Sequence, residues 1–195
     1  MFHICSSSGI LVIGGGDSSS HSVEFWSPTE PSCVLEDYPK EMEWGPTVNL
    51  VSNRLVACHD HACEIYQEGS WQHLQNTIGY RYVHSSATTK DAVLLIGGYN
   101  EYTTEWIPID GSPAQPGPFT VRNGVDHCTI QTSDDVIVVT GGYNTYDSVT
   151  QYHLTDGTET PLTSLGQGRN EHACGVYQDT NGQQVSKKIF KINAL

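Results

Sequence analysis

Basic side chains are scarce in this sequence, which contains nine Lys and Arg residues against 22 Asp and Glu residues. The formal net charge at neutral pH is -13. A nucleic-acid-binding protein needs clustered basic residues to displace the counterions of the phosphate backbone, and an anionic membrane attracts the same residues. The composition therefore predicts no nucleic-acid partner and no attraction to anionic lipid.

Long apolar runs are also missing, and no stretch approaches the roughly 18 apolar residues that a membrane-spanning helix requires. The first residues lack a basic start, and the apolar run at 10–13 is only four residues long, so they do not resemble a signal peptide. We expect no membrane insertion. The compartment stays open between the cytoplasm and, if upstream sequence is missing, the extracellular space.

The sequence does contain a repeat built on glycine doublets. Gly97-Gly98-Tyr99-Asn100 recurs as Gly141-Gly142-Tyr143-Asn144, a shift of 44 residues, and each copy follows a run of aliphatic residues. The doublets that we assign to the repeat are Gly14 and Gly15, Gly97 and Gly98, and Gly141 and Gly142. A degenerate copy has Cys58-His59 where two glycines would stand.

Other sequence motifs recur at the same spacing as the glycine doublets. Each doublet is followed by a short segment in which Glu or Gln precedes a large apolar residue, at 23–26, 63–66, 104–106 and 150–152. An Arg followed closely by a His precedes three of the apolar runs: Arg81 with His84, Arg122 with His127, and Arg169 with His172. No ten-residue stretch shows a helical period, whereas four short strands per unit of about 40–50 residues are typical of a β-propeller blade.

The glycine doublet, the Glu-aromatic segment and the Arg-x-x-His spacing together resemble the kelch repeat over roughly residues 8 to 184. The resemblance implies an all-β, partial kelch-type β-propeller, with about four four-stranded antiparallel blades and a truncated fifth. The propeller would occupy residues 1–185, with units near 8–42, 43–80, 81–121 and 122–168 and a stub at 169–185. Residues 186–195 are interpreted as a basic tail outside the repeat.

Kelch propellers usually close with about six blades, so this chain is expected to be a fragment of a longer propeller. Closure protects the edges of a propeller and buries the faces of its terminal blades. Open terminal blades would expose apolar surface, and self-association is therefore a further expectation.

The resemblance also implies that the recurring arginines lie around the mouth of the central channel, where in some kelch proteins they grip acidic peptides. A guanidinium suits this task because it binds a carboxylate through two parallel hydrogen bonds. The candidate binding residues are Arg81, Arg122 and Arg169. The alternative is that each Arg ties neighbouring blades together, and the recurring histidines are interpreted in the same way, as packing residues rather than metal ligands.

The segment from Cys58 to Cys63 contains two cysteines and two histidines within six residues. A disulfide across a hairpin would join Cys58 to Cys63, and closing so short a loop is worth roughly 2 kcal/mol. Free buried thiols and a zinc site are the alternatives, although zinc ligands on so short a hairpin would crowd.

The sequence favours a scaffold that binds a protein or peptide partner through propeller loops. No Gly-x-Ser-x-Gly motif and no phosphate-binding loop is present, so we expect no enzymatic activity, no cofactor and no metal. The alternatives are a fragment of a galactose-oxidase-like copper enzyme or of a secreted structural propeller. Tyrosines that could serve copper occupy repeat-phase positions, which favours a packing role: Tyr99, Tyr102, Tyr143, Tyr146 and Tyr152.

Overall fold

The computed structural model describes residues 10–13, 21–26, 33–40, 47–122, 124–178 and 184–190. The regular structure in these ranges consists of strands that form five antiparallel sheets. The first two sheets contain β1 Ile10–Ile13, β2 Val23–Trp26 and β3 Cys33–Val34, then β4 Thr47–Val51, β5 Arg54–Gln67 and β6 Ser70–Arg81. Within the described part of the chain, no helix is long and apolar enough to cross a membrane.

The third and fourth sheets each have four strands joined in sequence order. They contain β7 Ser85–Thr88, β8 Ala92–Gly98, β9 Glu101–Pro108 and β10 Gln115–Thr120, then β11 Cys128–Ser133, β12 Val136–Thr140, β13 Val149–His153 and β14 Glu159–Pro161. A two-stranded fifth sheet holds β15 Ala173–Gln178 and β16 Gln184–Phe190. This arrangement confirms the prediction of an all-β, partial propeller with successive antiparallel blades.

Strand β5 supplies two blade strands because the chain reverses within it. Residues 54–58 pair with β4 and residues 62–67 pair with β6, while Asp60 between them has a positive φ of 54°. The Cα atoms of Cys58 and Cys63 consequently lie only 4.1 Å apart. The second blade therefore has the same four-strand plan as the third and fourth.

The hydrophobic core consists of layers between neighbouring blades. In β8, Val93 and Leu95 pack towards the second blade, whereas Leu94 and Ile96 pack towards the fourth. All four side chains are fully buried. A strand that is covered on both faces must be apolar at successive positions, which is why the sequence shows continuous aliphatic runs rather than alternation.

The first strands of successive blades, β4, β7, β11 and β15, lie next to one another, and polar side chains bridge β4 to β7 and β7 to β11. Ser86 on β7 donates a hydrogen bond to Asn49 on β4 (3.0 Å), and the Gln131 amide of β11 donates to the backbone oxygen of Thr88 (2.7 Å). We call these four the inner strands.

The glycine doublets sit where the next blade approaches most closely. Gly97 has φ 68°, and a Cβ there would lie 2.5 Å from the backbone oxygen of Gly124 and 3.0 Å from His127. Gly141 has φ 60° and meets the backbone of Arg169 and the ring of His172 in the same way. Only glycine tolerates both the conformation and the contact. The doublet at Gly14 and Gly15 lies outside the described residues.

The end of the repeat differs from the boundary drawn from the sequence. Strand β16 continues to Phe190 and pairs with β15, with Ile189 opposite Cys174 and Lys188 opposite Gly175. The segment interpreted as a tail from residue 186 is therefore strand up to residue 190. Two strands can pair without a glycine doublet, so the glycine motif that defined the repeat did not predict the extent of β16.

Candidate functional site

A cavity of about 520 Å³ opens at the end of the propeller where the inner strands β7, β11 and β15 begin. We call it the mouth cavity. Its lining residues come from equivalent places in three blades and are Tyr82, Val83, His84, Asp126, His127, Glu171 and His172. The repeat therefore builds this site by presenting the same two or three positions once per blade.

Each histidine of the mouth cavity reaches back to a hydroxyl of the preceding blade. The Nε2 atom lies 2.7 Å from the Thr47 hydroxyl for His84, 2.7 Å from the Ser85 hydroxyl for His127, and 3.0 Å from the Thr140 hydroxyl for His172. The histidines thus connect neighbouring blades through side-chain hydroxyls, and His84 also bonds the backbone of Arg81 at the end of β6.

Burial keeps these imidazoles neutral. Desolvation lowers the pKa of His84 to about 3 and that of His127 to about 4, with nearby positive groups adding to the effect. The pKa of His172 is lowered by burial first and by the charge of Arg169 second. At neutral pH the histidines bring hydrogen-bonding nitrogens but no positive charge to the cavity.

Two carboxylates stand directly before two of these histidines. Asp126 and Glu171 have positive φ values of 61° and 48°, and Val83, the equivalent residue before His84, has φ 54°. Such backbone is strained for residues with a Cβ and is a frequent property of functional sites. Burial raises the pKa of Asp126, and the neighbouring charge of Glu171 raises it further.

Tyrosines surround the mouth cavity on the same face. The backbone N–H of Tyr99 donates to Tyr82 (2.7 Å), and that of Tyr143 donates to Val125 (3.3 Å), which ties the loops after the glycine doublets to the cavity loops. We define the tyrosine face as six residues: Tyr80, Tyr82, Tyr99, Tyr102, Tyr143 and Tyr146.

The packing role expected for the repeated tyrosines holds for one of them. Tyr152 is buried and stacks on Phe119 with ring centroids 4.4 Å apart. Tyr99, Tyr102, Tyr143 and Tyr146 are instead between 42% and 57% exposed. Tyr99, Tyr143 and Tyr146 lie in the segments that follow the glycine doublets, and Tyr102 lies at the start of β9.

Arg81 is a buried inter-blade tie and is not available to a ligand. Its guanidinium donates to the backbone oxygens of Gly97 (2.9 Å) and Thr103 (2.8 Å), and its Nε lies 3.3 Å from the Glu105 carboxylate. Both side chains of this ion pair are 1% exposed. Arg81 therefore has the role that the sequence left open as the alternative to ligand binding, since its guanidinium joins blades two and three.

Arg122 and Arg169 occupy different surroundings. The exposed guanidinium of Arg122 binds the Glu159 carboxylate at 2.6 Å, away from the mouth cavity. Arg169 is partly exposed, its backbone oxygen accepts from Gly142, and its charge acts on His172. The structure therefore does not bring the three arginines together. The charge of Arg169 acts on His172 of the cavity, and that of the buried Arg81 acts on His84.

The sequence interpretation did not assign a role to the buried glutamates that pair with basic residues of the preceding blade. Glu105 accepts hydrogen bonds from the backbone of Ile78 (2.9 Å) as well as facing Arg81. In the second blade Glu64 is 3% exposed, accepts from the Tyr38 hydroxyl, and binds Lys40 at 2.7 Å. The recurring Glu before a large apolar residue was the available signal, since it marks the carboxylate that receives a cation from the preceding blade.

Two disulfides join the four cysteines whose side chains the structure describes. Cys58 is bonded to Cys63, so neither sulfur is a thiolate that could hold zinc. Cys128 on β11 is bonded to Cys174 on β15 and links the inner strands of the last two blades. This second pair is separated by 46 residues, and the sequence alone gave no register that would place the two inner strands side by side. Among the described residues, no group of three His, Cys, Asp or Glu side chains could hold a metal ion.

No protein-family model matches the sequence, and no curated protein matches it. The solved structure of YjhT is similar to this chain with a TM-score of 0.69 at 9% sequence identity. The similarity covers 81% of this chain and 64% of YjhT, so this chain spans less than two thirds of that protein. At this identity the likeness shows the fold alone. The class of protein is therefore a β-propeller.

Proposed function

We propose that this protein is a kelch-type recognition scaffold that binds a protein or peptide on the tyrosine face. The exposed tyrosines around a polar cavity carry this proposal. Tyrosine and arginine dominate the binding energy of many protein interfaces, because a tyrosine buries a large rigid ring while its hydroxyl stays hydrogen-bonded. Tyrosines at repeat positions would otherwise be expected to pack between blades.

The kelch assignment is supported by contacts of the repeat residues. The glycine doublets receive the loop of the next blade, and the Glu of the third strand receives a basic residue from the preceding blade. These contacts use the residues that define the resemblance in the sequence. A propeller of this kind offers its loops as a binding surface while the blades hold them rigidly in place.

Both disulfides support recognition in an oxidising compartment, since such bonds persist outside the reducing cytosol. Peptide mass mapping of protein from its native source, without reduction, tests this part. Linked peptides that contain Cys128 and Cys174 support an extracellular or secretory location, and free thiols at both positions contradict it.

The binding proposal is tested by selecting random displayed peptides on the whole chain. Selected peptides should bind the unaltered protein and lose about tenfold or more in affinity for the Tyr99→Ala/Tyr143→Ala variant, because interface tyrosines often contribute 1–2 kcal/mol each. Leu50→Ala is the control, since Leu50 is 63% exposed and lies near the opposite end of the inner strands.

Two results would overturn the proposal. One is a failure to enrich any peptide on the folded chain. The other is a set of peptides whose affinity falls with Leu50→Ala and not with the tyrosine variant, since that would place recognition on the opposite face.

A further inference from the structure

The mouth cavity carries formal charge of one sign. Of its seven lining residues, Asp126 and Glu171 are carboxylates, and none is Lys or Arg. The three histidines are neutral at physiological pH for the reasons given above. A cavity of a few hundred cubic ångströms that is lined by two carboxylates attracts a cation and repels an acidic group.

The histidine of the last blade adds hydrogen-bonding capacity to the mouth cavity. Its Nε2 lies 3.0 Å from the Thr140 hydroxyl. His172 is 8% exposed, and its Nδ1 has no hydrogen-bond partner among the described residues. Because a neutral imidazole nitrogen either donates or accepts, a polar group of a ligand in the cavity can complete the hydrogen bonding of this ring.

We propose that the mouth cavity binds a Lys or Arg side chain of the partner, with Asp126 and Glu171 as its counter-charges and His172 as a hydrogen-bonding partner. Tyr82 forms part of the cavity wall and offers an aromatic surface to the cation. This inference rests on the proposed function, because it specifies which residue of a bound peptide enters the propeller. It also reverses the ligand charge that the arginine motif suggested.

Arg169 is a partly exposed cation of the protein itself that would compete with the ligand, whereas Arg81, whose charge acts on His84, is buried and paired with Glu105. Its charge acts on His172, and its backbone oxygen holds the neighbouring loop through Gly142. Removing the charge while keeping the backbone should strengthen the binding of a cationic ligand. A cavity that binds acidic peptides through Arg169 would give the opposite result, so this one variant separates the two ligand classes.

The test is an NMR titration of the full chain with a capped Gly-Gly-Arg-Gly-Gly peptide. Two further peptides carry citrulline or Glu in place of Arg, and citrulline keeps the shape of arginine without its charge. We expect the Arg peptide to shift the amide signals of 82–84, 124–127 and 171–172 most strongly. Asp126→Asn/Glu171→Gln should weaken the binding about tenfold or more, and Arg169→Gln should strengthen it.

The matched control is Asp134→Asn/Glu68→Gln, which removes the same amount of charge from exposed positions. Asp134 belongs to the turn after β11, at the end of that strand away from the mouth cavity, and Glu68 to the turn between β5 and β6. Thermal unfolding verifies that each variant is folded. The inference is overturned if the citrulline peptide binds as well as the Arg peptide, if both double variants lose the same affinity, or if the Arg peptide does not bind at all.

The outcome is separable from that of the proposed function. Selected peptides that depend on Tyr99 and Tyr143 but contain no basic residue would leave the tyrosine face as a binding surface and refute the cationic ligand. A chain that selects no peptide would refute the proposed function first.

Discussion

Arg81 and Arg122 occupy the same phase of consecutive repeats, but they have different partners. Glu105 faces Arg81 from the third strand of the following blade. The residue at the equivalent place for Arg122 is Gln151, as the phase of the sequence shows. A neutral amide gives a buried guanidinium no counter-charge, which explains why Arg122 turns to Glu159 at the surface.

This difference predicts unequal costs for the same substitution. Arg81→Gln leaves the Glu105 carboxylate buried without a cation and should lower the free energy of unfolding by about 3–5 kcal/mol. Arg122→Gln removes an exposed ion pair and should cost less than about 1 kcal/mol. Urea unfolding followed by tryptophan fluorescence measures both values. Equal losses in the two variants would refute the structural role assigned to Arg81.

His127 should make stability depend on pH in the acidic range. The unfolded chain binds a proton on this residue below its ordinary pKa of 6.5, whereas the folded protein does so only near a pKa of about 4. The unfolded state therefore holds more protons between these values. We expect the free energy of unfolding to fall as the pH drops from 6.5 to 4, by at most about 1.4 kcal/mol per pH unit from this residue.

The measurement is urea unfolding at pH 7, 5.5 and 4.5. His127→Gln keeps a group that can bond the Ser85 hydroxyl but does not titrate, so its stability should vary less steeply with pH than that of the unaltered protein. An identical slope in both proteins would show that His127 is not the buried neutral imidazole described above.

The turns after β8 and β12 depend on a glycine that the next blade touches. Gly97→Ala would place a Cβ against the backbone oxygen of Gly124 in addition to forcing a positive φ. Gly111→Ala is the control because Gly111 has φ 84° but nothing lies within 4 Å of its Cβ position. We expect a loss of about 1 kcal/mol for Gly111→Ala, and about 1–3 kcal/mol more for Gly97→Ala. Similar melting temperatures for the two variants would contradict the close approach of the blades.

The strands and their order could be predicted from the sequence because the same pattern recurs at a fixed spacing. Whether a repeated side chain is buried or exposed could not be predicted from the sequence, since this depends on residues in another blade. Arg81 is buried because it is paired with the acidic Glu105. The two residues are 24 positions apart, and the repeat pattern does not indicate which residues of neighbouring blades form ion pairs. The tyrosines after the glycine doublets shared the repeat phase of packing residues, yet their loops leave them exposed.

The disulfides stabilise the propeller to different degrees because they close loops of different length. The bond between Cys128 and Cys174 joins two blades across 46 residues, whereas that between Cys58 and Cys63 closes a loop within one blade. Chain entropy predicts a loss of about 4 kcal/mol for Cys128→Ala/Cys174→Ala and about 2 kcal/mol for Cys58→Ala/Cys63→Ala. Chemical denaturation under non-reducing conditions compares them, and an equal or reversed order would contradict the inter-blade link.

The propeller blades have two ends, and we assign partner recognition to one of them. The mouth cavity and the tyrosine face lie at the end where β7 and β11 begin, while the turns after β7 and β11 form the opposite end around Lys90 and Asp134. Within the part of the chain that the structure describes, the first end combines exposed tyrosine rings with an acidic cavity. A partner should therefore contact one end of the blades and leave the other free.

Hydrogen exchange of the full chain with and without its tightest selected peptide measures this directly. We predict slower amide exchange on peptide binding at 82–84, 99–102, 124–127, 143–146 and 171–172, with unchanged exchange at 88–90 and 131–134. Protection confined to 88–90 and 131–134 would contradict the account, because it would place the binding surface at the opposite end of the propeller.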